Sequence, residues 1–163
     1  MKFGLKKSVR RMGVVGALVA CTISFVGCAN NEEINKLELT NADKNIIKEY
    51  LETGEDTIVS NVDNGEIYTA FEVLGTSEDE IYLWVLQETS TGEGASVPVL
   101  MNANRENEVL SIDGYKMPGD GDMYGEDIKK MFPKYVQEKI FPGVEEYNKR
   151  VDRLKEAIEK EKK

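Results

Sequence analysis

The chain has 163 residues, with 21 Lys and Arg against 30 Asp and Glu and no His, for a formal net charge of −9. The absence of His and the presence of only two Cys exclude a His general base, a Ser-His-Asp or Cys-His arrangement, and a metal cluster built on His and Cys. The acidic balance disfavours nucleic acid and anionic lipid as partners, and the length suits one domain with a real core.

The chain opens Met-Lys-Phe-Gly-Leu-Lys-Lys-Ser-Val-Arg-Arg, with five positive charges and no negative one, and residues 12–27 form an uncharged apolar run. That run is short for a bilayer span, which takes roughly 20 residues, and Gly13, Gly16, Ala17 and Ala20 interrupt it. A charged start, an apolar stretch and a small residue before a cut make an export signal. Gly27 is followed directly by Cys28 and then by Ala-Asn-Asn-Glu-Glu; all 30 acidic residues of the chain come after Cys28.

This arrangement resembles a bacterial lipoprotein signal. The resemblance implies diacylglycerol on the sulfur of Cys28 and cleavage that makes Cys28 the new N-terminus, with at least two acyl chains holding the protein on the extracytoplasmic face of the cell membrane. Two chains hold stably where one does not. Cys21 is the runner-up: Leu18-Val19-Ala20-Cys21 fits the family's pattern better at the third position before Cys. Cleavage there would leave an apolar N-terminus, whereas cleavage before Cys28 exposes a solvated tether. With Cys21 removed and Cys28 lipidated, no disulfide is expected. The expected organisation is a signal over 1–27, a lipidated Cys and polar tether over 28–39, and a single extracytoplasmic domain over 40–163.

Within that domain, Thr40 and Asp43 have the spacing of a capping box. Ile46, Ile47, Tyr50 and Leu51 form one apolar face at helical spacing, and Gly54 stops the helix. Thr57 to Val62 reads as a strand, and Asp63-Asn64-Gly65 as a hairpin turn. Ile67 to Leu74 alternates in the manner of a strand. Residues 81–86, Ile-Tyr-Leu-Trp-Val-Leu, are apolar on both faces, which predicts a central strand covered on both sides or one carrying an exposed patch for a partner. Trp84, in that strand, is either a core side chain or a ligand-facing aromatic. Val97 to Met101 is the next strand; Pro98 places it at an edge or a bulge. Asn102 to Asn107 reads as a turn, and Val109 to Met117 closes the meander. Helices follow over 126–132, 134–141 and from about 144, with Pro133 and Pro142 where helix starts tolerate proline. In the last helix Val144, Tyr147, Val151, Leu154 and Ile158 form a seam at heptad spacing, fit either to pack on the domain or to bind a partner. The fold class is α+β: an N-terminal helix packed on a four- or five-stranded antiparallel sheet, followed by C-terminal helices.

The densest acidic cluster is Asp120-Gly-Asp-Met-Tyr-Gly-Glu-Asp127. Asp120, Asp122 and Glu126 are oxygen donors of the type that bind Ca²⁺, but read as an EF-hand the loop puts Met131 where a bidentate Glu is needed. The other reading is a turn and helix start, with Glu126 and Asp127 facing the positive end of the helix. The stretch from Tyr115-Lys-Met-Pro-Gly-Asp-Gly through Asp127-Ile-Lys-Lys-Met-Phe-Pro to Val136-Gln-Glu-Lys-Ile is similar to one near the C-termini of uncharacterised exported proteins and lipoproteins of Firmicutes. That resemblance implies no activity and no catalytic residue. The favoured function is a non-catalytic binding, inhibitory or accessory protein at the cell surface. Its partners are the membrane, through the lipid, and a surface or envelope protein. No cofactor is expected beyond the covalent lipid, with weak Ca²⁺ binding open. The alternative is a carboxylate-dependent hydrolase or a Ca²⁺-dependent module using the 120–127 loop.

Overall fold

The computed structural model describes residues 36–53, 57–59 and 65–163, which fall in one compact unit. The signal, Cys21, Cys28, Gly54 and the Asp63-Asn64 part of the expected hairpin lie outside them. The first helix, α1, spans Asn41–Thr53. Its start is the capping box: the Asp43 carboxylate accepts from the Thr40 N–H at 2.8 Å and from the Thr40 hydroxyl at 2.9 Å, and the Thr40 Oγ1 accepts from the Asp43 N–H at 3.2 Å. Two otherwise orphaned donors at the helix start are thereby satisfied.

Four strands follow: β1 (Ile67–Thr76), β2 (Glu80–Thr89), β3 (Gly94–Glu106) and β4 (Val109–Lys116). They form one antiparallel sheet in the order β1-β2-β3-β4, and the fold is α+β. Residues 57–59, expected to begin a further strand, form a bend instead. Their backbone is held by a side chain rather than a ladder, the Val59 N–H donating to Gln87 Oε1 at 3.1 Å. The expected turn over 102–107 is also corrected. Ala103, Asn104 and Arg105 pair with Ile112, Ser111 and Leu110, so β3 continues to Glu106, and the turn is Asn107-Glu108, both at positive φ. Burial of Met101 and Ala103 at alternate positions outweighs the weak strand propensity of the Asn-Ala-Asn-Arg run. The ladder to β4 begins only at Leu100. Pro98 therefore lies where β3 has β2 alone as its neighbour, and its missing N–H interrupts no bond to β4.

Residues 81–87 of β2 are buried without interruption, and the two faces of the strand feed two apolar clusters. Ile81, Leu83 and Val85 join Val99, Met101 and Leu110 and the α1 residues Ile47 and Leu51. Tyr82, Trp84 and Leu86 join side chains from three later helices. These are α2 (Tyr124–Met131), α3 (Lys134–Ile140) and α4 (Val144–Glu161), with a short 3-10 turn at Gly121–Met123 before them. They contribute Ile128, Val136, Ile140, Leu154 and Ile158, joined by Phe132 from the link between α2 and α3. Each large apolar side chain fully buried stabilises the fold by roughly 1.5–3 kcal/mol.

One polar side chain joins three segments. Gln87 is fully buried; its Nε2 donates to the Leu51 carbonyl at 2.7 Å and to Thr69 Oγ1 at 3.1 Å, while its Oε1 takes the Val59 N–H. It satisfies a carbonyl of the last turn of α1, which has no partner within the helix. Gln87→Leu keeps the volume and removes all three bonds. The expected loss is about 3 kcal/mol, since each unsatisfied buried group costs about 1–3 kcal/mol. Chemical denaturation checks it, and an unchanged midpoint would show that water replaces Gln87 without loss.

The seam of the last helix is buried only in part. Leu154 and Ile158 are buried and Val151 is half-buried, but Tyr147 and Val144 are exposed, Val144 at 79%, and Arg150 is buried one turn before Leu154. Val144 is the first residue of α4, one turn before Tyr147, whose ring makes the edge contact with Trp84.

Candidate functional site

The residues that stand out on this scaffold converge on one aromatic cleft. Strand β2 carries Trp84 to the face that holds α2, α3 and α4, where the Trp84 Nε1 donates to Ser96 Oγ of β3 at 2.9 Å. Helix α4 lays Tyr147 edge-on against the indole, with ring centres 5.6 Å apart and an interplanar angle of 89°. At the other wall Tyr124, at the start of α2, meets Phe141, just past α3, with centres 6.3 Å apart and planes at 80°. Edge-to-face pairs of this kind add about 0.5–1.5 kcal/mol beyond their buried area. Gly143 has φ +88°, a left-handed conformation that favours glycine. It lets the chain turn from α3 into α4 so that Phe141 and Val144 flank the opening. The cleft has a volume of about 630 Å³, within the size range of small-ligand and side-chain pockets.

Its floor is fixed from behind by Arg150. This side chain is 5% exposed. Its Nη2 donates to the Lys139 carbonyl at 2.8 Å and lies 3.4 Å from a Glu72 oxygen, while Nε and Nη1 have no hydrogen-bond partner among the described residues. The guanidinium instead rests 5.2 Å from the centre of the Trp84 ring. A desolvated cation–π contact gives about 2 kcal/mol, a partial return for the unmade bonds. Trp84 is thus held by Ser96, Tyr147 and Arg150 together, and burial raises the Tyr124 hydroxyl above its ordinary pKa.

The cleft offers surface. Phe141 is 59% exposed and Tyr147 37%, and the polar side chains that reach it are Ser96 and Asp120. Asp120 stands at the rim, exposed, before the 3-10 turn. Asp122 and Glu126 are exposed too; Glu126 lies 3.4 Å from Lys130, and Asp127 accepts the Gly119 N–H at 3.0 Å. No group of three or more His, Cys, Asp or Glu placed to hold a metal ion is present among the described residues. The structure therefore does not gather Asp120, Asp122 and Glu126 into a shared cation site there. Glu126 and Asp127 serve helix α2 and the loop that leads into it.

Trp84, open to two readings from sequence, is a core side chain, 4% exposed, that also lines the cleft. Tyr124, Phe141, Tyr147 and Arg150 were not legible as a group. The available signal was two aromatics, Phe141 and Tyr147, on either side of the helix break at Pro142-Gly143. No family model, curated protein or solved structure matches the chain.

Proposed function

We propose that this chain is a lipid-anchored protein of the extracytoplasmic membrane face that works by binding another surface or envelope protein through the aromatic cleft. The observation that carries the reading is the exposure of Phe141, Val144 and Tyr147 around one opening on an acidic domain. Clustered apolar exposure of this kind marks interaction surfaces, and aromatic anchors dominate their energetics. A polar surface needs no such residues for solubility. The anchor rests on the N-terminal signal and Cys28. Among the described residues no helix is long and apolar enough to cross a membrane.

A photo-crosslinking residue at position 144, in cells, is expected to trap one discrete protein adduct, and Phe141→Ser in the same chain is expected to weaken it. The same crosslinker at Glu106, an exposed position at the end of β3, serves as the control. Identical adducts at both positions would remove the cleft from the proposal. Separately, Cys28→Ala is expected to release the protein into the medium, while Cys21→Ala leaves it with the membrane. Fractionation reads both, and retention until Cys21 is also replaced would move the anchor to Cys21.

A further inference from the structure

The outer edge of β1 forms a second surface, independent of the aromatic cleft. A groove of about 730 Å³ follows it, with α1 and residues 36–39 contributing to its lining together with α3 and α4. The register shows which backbone groups face it. The Thr69 N–H turns away from β2 to donate to the Glu52 carboxylate at 2.8 Å, so Thr69 and Gln87 are a non-hydrogen-bonded pair. By the two-residue period of an antiparallel ladder, Phe71 with Val85 and Val73 with Leu83 are non-hydrogen-bonded pairs as well. The N–H and C=O groups of Phe71 and Val73 therefore point outward.

Side chains close other groups of this edge. Beyond the bulge at Leu74, the Leu74 carbonyl takes the Lys139 ammonium at 2.5 Å and the Thr76 carbonyl takes the Tyr135 hydroxyl at 3.2 Å. At the other end stand Glu52 on Thr69 and the ion pair Lys48–Glu161, which joins α1 to α4. Natural sheets blunt their free edges; here, among the described residues, the blunting leaves an open window that includes Phe71 and Val73.

Charge selects what fits that window. In a chain with 30 acidic and 21 basic residues, the described residues that line the groove include Lys36, Lys44, Lys48 and Lys139 and, among acids, Glu161 alone. Lys48 is neutralised by Glu161 and Lys139 is held by Leu74. Lys36 and Lys44 are exposed and have no carboxylate within ion-pair distance among the described residues.

We propose that this groove binds an extended acidic peptide segment of a partner protein. The segment pairs as an added strand with Phe71 and Val73 and sets its carboxylates against Lys36 and Lys44. Main-chain bonds then supply the attachment and the lysines the selection, the division of labour of strand addition.

The test uses the full-length protein in detergent, with amide exchange followed residue by residue by NMR. The probe is a pool of heptapeptides alternating Asp or Glu with Val, Thr or Tyr. The expected result is slowed exchange at Phe71 and Val73, weakened by salt, and affinity lowered about tenfold in Lys36→Glu/Lys44→Glu. Both lysines are exposed, so this variant keeps the fold. Val73→Pro, which deletes an outward N–H and no bond to β2, is expected to lose the protection at Phe71 if it folds. The proposal is overturned if the acidic pool leaves both amides unchanged at about 1 mM, the limit of weak recognition, or if a pool with Lys in place of Asp and Glu protects them equally. Protection without any peptide also overturns it: if independent of protein concentration it assigns the groove to the chain's own segment, and if dependent on it, to a second copy.

Discussion

Removal of residues 144–163 is expected to abolish the cooperative unfolding transition of the domain, whereas Val144→Ala is expected to leave it within about 0.5 kcal/mol of the parent. The contrast follows from where α4 makes its contacts. Leu154 and Ile158 are buried in the cluster that holds Trp84 and Leu86, and truncating a buried Leu or Ile to Ala typically costs about 2–5 kcal/mol. Losing both, with the Tyr147 contact to Trp84 and the Arg150 bond to Lys139, removes an amount comparable to the whole stability of an ordinary domain, about 5–15 kcal/mol. It also bares part of the sheet face that α2, α3 and α4 cover together. Val144, 79% exposed, takes no part in this. Thermal unfolding followed by circular dichroism decides the matter. A sharp transition in the truncated chain would show that α4 is an appendage, and a large loss from Val144→Ala would show that the helix is seated differently.

Asp43→Ala is expected to destabilise the domain by about 2–3 kcal/mol, because one carboxylate both caps α1 and takes charge-assisted hydrogen bonds. Asp43 Oδ2 accepts from Arg105 Nη2 at 2.8 Å, and Arg105 also holds the carbonyls of Glu38 at 3.1 Å and Glu108 at 3.0 Å. The entry to α1 is thereby tied to the β3–β4 turn. The Arg105 guanidinium, supported by the bonds from Thr40, outweighs burial and holds the Asp43 carboxyl below its ordinary value of 3.8. A carboxyl with a lowered pKa in the folded state contributes stability that is complete above the unfolded value and lost as the pH falls through the folded value. The gap in melting temperature between the parent and Asp43→Asn should thus be constant at pH above 3.8 and narrow below it. A gap that persists unchanged in acid would assign Asp43 a packing role in place of an ionic one.

The helix start was legible because its signal is local: Thr40 and Asp43 are three residues apart and form the expected bonds. So was the central strand, although six consecutive apolar residues left open whether both faces are covered or one is exposed for a partner. What could not be read depends on partners distant in the chain. Arg105 meets Asp43 across 62 positions, and nothing near either residue announces the other. The same holds for Arg150, whose place among apolar residues makes sense only with Glu72, Trp84 and the Lys139 carbonyl beside it. The segment at 57–59 failed for a related reason. Ile58-Val59 has strand composition, but the Gln87 amide competes for its backbone. The cleft was hidden because it belongs to no element; it lies where the ends of α2, α3 and α4 meet the middle of β2 and β3.

Trp84 is the single Trp of the chain, and it lines the cleft in edge contact with Tyr147 while taking no part in the β1 groove. The native molecule therefore carries its own optical reporter. Indole emission follows the polarity around one ring, so a partner seated on Phe141 and Tyr147 alters it, whereas a strand added beside Phe71 leaves it largely as it was. Occupancy of the two surfaces can be told apart by intrinsic fluorescence, with no dye attached and no residue replaced.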